Sequence, residues 1–370
     1  MLRSAMRLLL LLLVATGSAA AQTTSFAKLS ARLSEDAGFF HSDNLVSNET
    51  AYLQVLDTFR AMGLKGGAYL GVGPEQSFSY LAELEPDIAF IVDIRRDNLL
   101  LHLLFKAMFA ASRNRLEYLG LLYGRPMPAD LPMWTDLGLD ALVDYLDQTP
   151  FDSTLHRQQQ QILLAAVEKF GFGLSDEDRS VMRRFHDDFA VNGLDLRYST
   201  RMSPVRMSFP SIRQIYLATD LNGNQASYLG SEDRWRKVRD LERRDLVVPV
   251  VGNLAGPAAI RNIGAYLRET RRTVSLFYIS NVEQYLFRDD LFPAFVANVR
   301  SLPTTDETLI VRSRYGRGAG FGRGGLSSQQ VQRVSRFLEL TAVPDATNYW
   351  MLLMDTVPVL PRAGGQRPPR

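Results

Sequence analysis

The sequence predicts an α/β protein, a mostly parallel sheet with helices on both faces and a helical insertion. Three observations carry that reading. The first is Gly67-Ala-Tyr-Leu-Gly-Val-Gly-Pro-Glu75, an apolar run that enters two glycines, followed by an amphipathic segment from Glu75 to Glu85. Pro74 opens that segment, at a helical position where its missing N–H has no partner anyway. The second is Ile88-Ala-Phe-Ile-Val92, another apolar run, ending on Asp93. Strand, Gly-x-Gly turn, helix, strand and acid make the first half of a Rossmann-like unit. There the glycines let backbone approach a ligand at the helix N-terminus, and the acid sits where ribose hydroxyls lie. The third is the later alternation of short apolar runs with helical stretches, which indicates a parallel sheet.

From the N-terminus, Arg3 and Arg7 precede the apolar run Leu8–Val14, and Ala19-Ala20-Ala21 supplies small residues for cleavage. This is the pattern of a secretory signal peptide over residues 1–21, too short to span a bilayer. Export, periplasmic or secreted, is therefore expected, with no transmembrane segment after cleavage. The chain has no Cys, so disulfides and thiolate chemistry are excluded. Its 42 basic and 40 acidic side chains nearly balance. Two of those arginines lie in the leader and three in the tail, so the span between is slightly acidic, without a basic block. Nucleic acid and anionic lipid are excluded as main partners on that ground.

Residues 22–360 are expected to form one α/β domain. Residues 22–63 are a helical lead-in, in which Thr50–Met62 carries apolar residues at helical spacing and Gly63 acts as the stop. Asn98–Tyr123 is apolar all round and reads as one helix packed on the sheet, with His102 as a buried, hydrogen-bonded imidazole. Residues 124–205 read as a helical insertion, broken by Pro126, Pro128 and Pro132. It includes a capped start at Ser175-x-x-Asp178 and a stop at Asn192-Gly193. His186-Asp187-Asp188 is expected on an exposed helix face, and no metal-ligand spacing is found.

Strands are then expected at Ile212–Ala218, Leu246–Val251, Val274–Ile279 and Leu309–Val311, with a further one at Trp350–Met354. Helices are expected at Asp233–Asp245, Gly256–Thr270 and Ser328–Leu340. The Arg/Gly-rich stretch 312–325 reads as a solvated loop, with anion binding as the alternative. Residues 361–370, with Gly-Gly and prolines, read as a disordered tail.

Ligands of open α/β sheets bind beyond the carboxyl ends of the strands, where strand order reverses. That rule selects Gly71, Gly73, Asp93, Asp220, Asn253, Asn281 and Glu283 as a candidate rim. The chain lacks a G-x-S-x-G elbow, a phosphate-binding G-x-x-x-x-G-K-[ST] loop, an H-E-x-x-H helix and a Tyr-x-x-x-Lys pair. Hydrolase, ATPase, zinc-protease and short-chain dehydrogenase chemistries have no residues to stand on.

The pattern around Gly71 and Asp93 resembles the first two motifs of Rossmann-like S-adenosylmethionine (SAM) methyltransferases. The resemblance covers residues 64–112 well and 212–313 loosely. It implies that Gly71 and Gly73 approach the methionine part of the cofactor and that Asp93 accepts the ribose hydroxyls. It also implies that Ser280-Asn281-Val282-Glu283 faces the substrate, with Asn281 and Glu283 positioning or deprotonating a methyl acceptor. The phrases Tyr-Leu-Gly-Val-Gly-Pro, Ile-Val-Asp-Ile-Arg-Arg and Ser-Asn-Val-Glu-x-Tyr-Leu give the whole chain a resemblance to an uncharacterised family of exported bacterial proteins with a methyltransferase-like core.

The chain departs from the motif at Tyr69, where an acid is usual, and at Glu75, where a third glycine is usual. A carboxylate at that helix N-terminus argues against the pyrophosphate of NAD more than against SAM or another nucleoside, which carries no phosphate. The expected function is therefore that of an exported small-molecule-binding protein, acting as a methyltransferase if it is catalytic. The alternative is a non-catalytic envelope interaction protein with a degenerate pocket.

Overall fold

The structure is a computed structural model that describes residues 26–130, 134–199, 209–315, 327–343 and 347–357. The leader, the tail and positions 316–325 of the Arg/Gly-rich stretch lie outside the described residues, while its residues 312–315 are not a solvated loop but the end of a strand in which Arg312 is fully buried. Among the described residues no helix is long and apolar enough to cross a membrane.

Among the described residues six strands form one sheet: β1 (Ala68–Gly71), β2 (Ile88–Asp93), β3 (Val247–Val251), β4 (Val274–Ser280), β5 (Thr304–Tyr315) and β6 (Ser327–Arg333). Their order is β3-β2-β1-β4-β5-β6. The first five run parallel, and β6 pairs antiparallel with β5. β1, β2 and β3 read as nearly continuous apolar runs because both faces of a parallel sheet are covered. The chain leaves β1 toward β2 on one side and reaches β4 on the other, so strand order reverses beside β1. The Rossmann-like α/β expectation agrees with this architecture.

The connection from β2 to β3 holds the helical insertion. It begins with Arg96–Ala111 and Arg115–Tyr123, two helices where one is expected, because Asn114 accepts from Glu117 N and restarts the chain. The helices Ser153–Glu168 and Asp176–Asn192 and, further on, Glu232–Arg243 pack on Arg96–Ala111. The start at Ser175 is a capping box, and Gly193 closes the helix at φ +53°.

Three further element expectations are corrected. Residues 212–218 are not a strand, since Ile212–Tyr216 is a short helix opened by a capping box between Ser211 and Gln214. The insertion therefore runs on to β3. Ser328–Leu340 is not one helix. Its first half is β6, whose side chains are buried in alternation because they pair with β5, and the helix Val334–Leu340 follows. Trp350–Met354 lies in the helix Tyr349–Met354, capped by Asn348.

His102 is buried and its Nε2 lies 3.0 Å from the Gly73 carbonyl, as a structural imidazole should. His186 is not on an exposed face. It is fully buried, its Nε2 lies 2.8 Å from Leu121 O, and its ring centroid is 4.3 Å from that of His156, which bonds Asp187. No cluster of three metal-ligating side chains occurs among the described residues.

Candidate functional site

A cleft of about 390 Å³ opens at the carboxyl ends of β1 to β4, where strand order reverses. That volume lies in the range of small-molecule pockets. Its inner wall is the turn after β1. Gly73 has φ +88°, a conformation that only glycine adopts without strain, and its carbonyl is held by Asn98 Nδ2 and His102 Nε2. Asp93, Asn253 and Asn281 also line the cleft, so four of the seven predicted rim residues meet in one place.

The other three do not. Gly71 is glycine because of Tyr69 rather than a ligand, since a Cβ there would stand 2.3 Å from the Tyr69 hydroxyl. Tyr69 in turn donates to Ser77 Oγ in the first turn of the next helix, which ties the loop down and accounts for a tyrosine in place of an acid. Asp220 binds Arg60, Asn222 and Asn224 and is not among the cleft residues, because the segment before it is a helix and not a strand of the sheet. Glu283 is 1% exposed, and both its oxygens accept from the fully buried Arg312. It is thus turned away from the cleft and braces the element that carries Asn281.

Asp93 is at the predicted place but already occupied. Arg95 donates to both its oxygens, at 3.0 and 2.9 Å, and the same guanidinium holds the carbonyls of Ser42 and Asp43. The pair pins residues 42–43, so the N-terminal segment becomes the outer wall of the cleft. Glu35 anchors the same segment by accepting from the backbone N–H groups of Asn253, Ala258 and Ala259 at the start of the helix Ala259–Glu269. Gly256 is required there because a Cβ would collide with the Glu35 carboxylate.

Glu75 does not occupy a ligand position either. Its side chain makes no cap, is 1% exposed and leaves both oxygens without a hydrogen-bond partner. It faces inward, toward the buried tyrosines Tyr52, Tyr118, Tyr123, Tyr216 and Tyr228. Burial raises its pKa to about 8.

Two features of the cleft escaped sequence reasoning. The first is an aromatic mouth. Phe40 stacks near His41 at 4.2 Å between centroids and meets Tyr285 edge-on at 5.4 Å, while the exposed Phe39 and the Tyr198 ring line the same opening. Burial, and then the Arg288 charge, lower the pKa of His41. The second is a polar floor centred on Glu49, which lines the cleft yet is 1% exposed. Its Oε2 accepts from Gln76 Nε2 at 3.1 Å, Tyr278 Oη at 2.7 Å and Gln329 Nε2 at 2.8 Å, and its Oε1 from Ser280 Oγ at 2.5 Å. Ser280 reaches it from a left-handed backbone, φ +51°, at the end of β4. Gln76 just after the glycine turn was the available signal, whereas Ser313 and Gln329 lie in stretches that read as a loop and a helix.

The chain belongs to the family described as Domain of unknown function (DUF7790). The match covers residues 44–125 and 144–359. It takes in all six strands, Glu49, the glycine turn, Asp93 and Asn281, and it leaves out residues 1–43, a piece of the helical insertion and residues 360–370. No curated protein matches the chain.

Proposed function

We propose that this protein is an exported small-molecule-binding protein on a SAM-methyltransferase-like core, and that its ligand lies in the cleft between the Gly73 turn and the aromatic mouth. The observation that carries this reading is the cleft itself. It stands at the reversal of strand order, has glycine backbone at its inner wall, and has flat side chains at its opening that suit a purine or similar ring. The motif resemblance around Gly71 and Asp93 supports the methyltransferase-like part, and the leader-type residues 1–21 support export.

If the protein is catalytic, methyl transfer is the nearest chemistry, and the cleft holds donor and acceptor in line while supplying little covalent help. Asn281 lines the cleft, and in this reading it orients the acceptor. Glu283 is committed to Arg312 and does not take a proton in the cleft. One observation favours the non-catalytic alternative. The Asp93 carboxylate takes three hydrogen bonds from Arg95, including its backbone N–H, which leaves little capacity for ribose hydroxyls.

Thermal unfolding with SAM, S-adenosylhomocysteine, adenosine and related nucleosides tests the reading. A ligand at a hundredfold excess over its Kd adds about 2.7 kcal/mol to stability. Tyr285→Ala should weaken that response without lowering the Tm of the free protein, since Tyr285 is only half-buried at the mouth. No stabilisation by any of these compounds would remove the nucleoside reading and leave the interaction-protein alternative.

A further inference from the structure

We propose that Glu49 is the docking point for a positively charged group, an ammonium or sulfonium, on the ligand of the cleft; this rests on the cleft being a small-molecule site. A carboxylate withdrawn from water needs a compensating cation as well as hydrogen bonds. Glu49 is 1% exposed and has four hydrogen-bond donors, but all four are neutral: two glutamine amides, a phenol and an alcohol. The cations nearest the cleft are matched elsewhere. Arg95 is paired with Asp93, Arg288 with Asp289, and Arg312 with Glu283. Among the described residues, Glu49 is left as a charge without a counterion at the floor of an open cleft.

The Gln329 amide behind the floor gives its N–H groups to Glu49 and Ser313 and brings no charge to the carboxylate. The floor therefore holds a carboxylate lacking a cation, which a cation entering the cleft would supply. The aromatic faces of Phe40 and Tyr285 at the mouth suit a ligand with a flat ring at its other end.

Glu49→Gln isolates the charge. An amide oxygen in place of Oε2 can accept two of its three donors, and an amide N–H in place of Oε1 can donate to Ser280, whose hydroxyl rotates to accept. Most of the hydrogen bonds survive while the charge is lost. Two matched probe pairs titrated calorimetrically against the full chain then read it. One pair is 5′-amino-5′-deoxyadenosine against adenosine, and the other is tyramine against 4-ethylphenol, which contains no nucleoside.

The ammonium member of a pair should bind about tenfold tighter or more, and the gap should close in Glu49→Gln while neutral-probe binding stays. Equal binding of the two members, or a gap that persists in the variant, overturns the proposal. A gap seen only with the tyramine pair sustains the cation site and removes the nucleoside reading. If no probe binds, the Tm of the free variant decides. A rise marks a charge held in reserve for a ligand, and a fall marks a structural carboxylate and overturns the proposal.

Discussion

Replacing Glu75 with glutamine should stabilise this protein, and by more as the pH rises. Both Glu75 oxygens are buried without partners, and burial lifts the carboxyl from an ordinary 4.5 to about 8. The surrounding tyrosines, Tyr52, Tyr118, Tyr123, Tyr216 and Tyr228, are held neutral by burial, and a phenol has no cationic form that could balance the carboxylate. Between pH 4.5 and 8 the unfolded chain gives up the Glu75 proton while the folded chain keeps it. The folded state then binds more protons, and stability falls as pH rises through that window. The loss amounts to roughly 3 kcal/mol near pH 7 and roughly 4 to 5 kcal/mol above pH 8, as upper limits.

Glutamine fits the same space and has no proton to lose. Urea unfolding of the two proteins from pH 5 to pH 9 should give curves that nearly meet at the acid end and separate steadily toward the alkaline end. A constant offset across that range would refute the reasoning, because it would mean that Glu75 ionises in the folded chain as it does in the unfolded one.

Other outcomes follow from the same geometry. Glu283→Ala leaves the fully buried Arg312 unpaired and should cost about 3 to 5 kcal/mol in urea unfolding, whereas a loss below about 1 kcal/mol would show the pair to be dispensable. His102 is pushed down to about 4 by burial, so its ring resonances should stay unshifted as pH is lowered from 8 to 5; a midpoint near 6.5 would contradict its buried position. Because the folded chain refuses that proton while the unfolded one takes it, His102 contributes stability above pH 6.5 that is lost as pH falls toward 4. Gly71→Ala should destabilise the protein, read as a lower Tm, because the new methyl meets the Tyr69 hydroxyl and that ring is pinned by Ser77. An unchanged Tm would show that the turn can move aside.

Much of the frame was legible because its signals are local. The apolar run, Gly-x-Gly turn and Pro74 act within a few residues, and β1, the helix Gln76–Leu84 and β2 appear where they point. The short helix Ile212–Tyr216 was misread as a strand despite the capping pair Ser211 and Gln214, because an apolar run of that length reads equally as a buried strand. β6 was not legible. Its glutamines favour a helix on their own, and only pairing with β5 makes them a strand.

By itself, then, the amino-acid order determined the α/β class, the first strand–turn–helix–strand unit and the end of the sheet at which a ligand would sit. What each acid does was decided only by tertiary structure. Asp93 is taken by an arginine two residues away, Glu283 by one 29 residues away, and Glu49 is placed in the cleft by partners as distant as Gln329, 280 residues along the chain. The physical reason is that a carboxylate's role depends on its solvent and its countercharges. Those are supplied by neighbours in space, whereas caps, turns and apolar periodicity are supplied by neighbours in the chain.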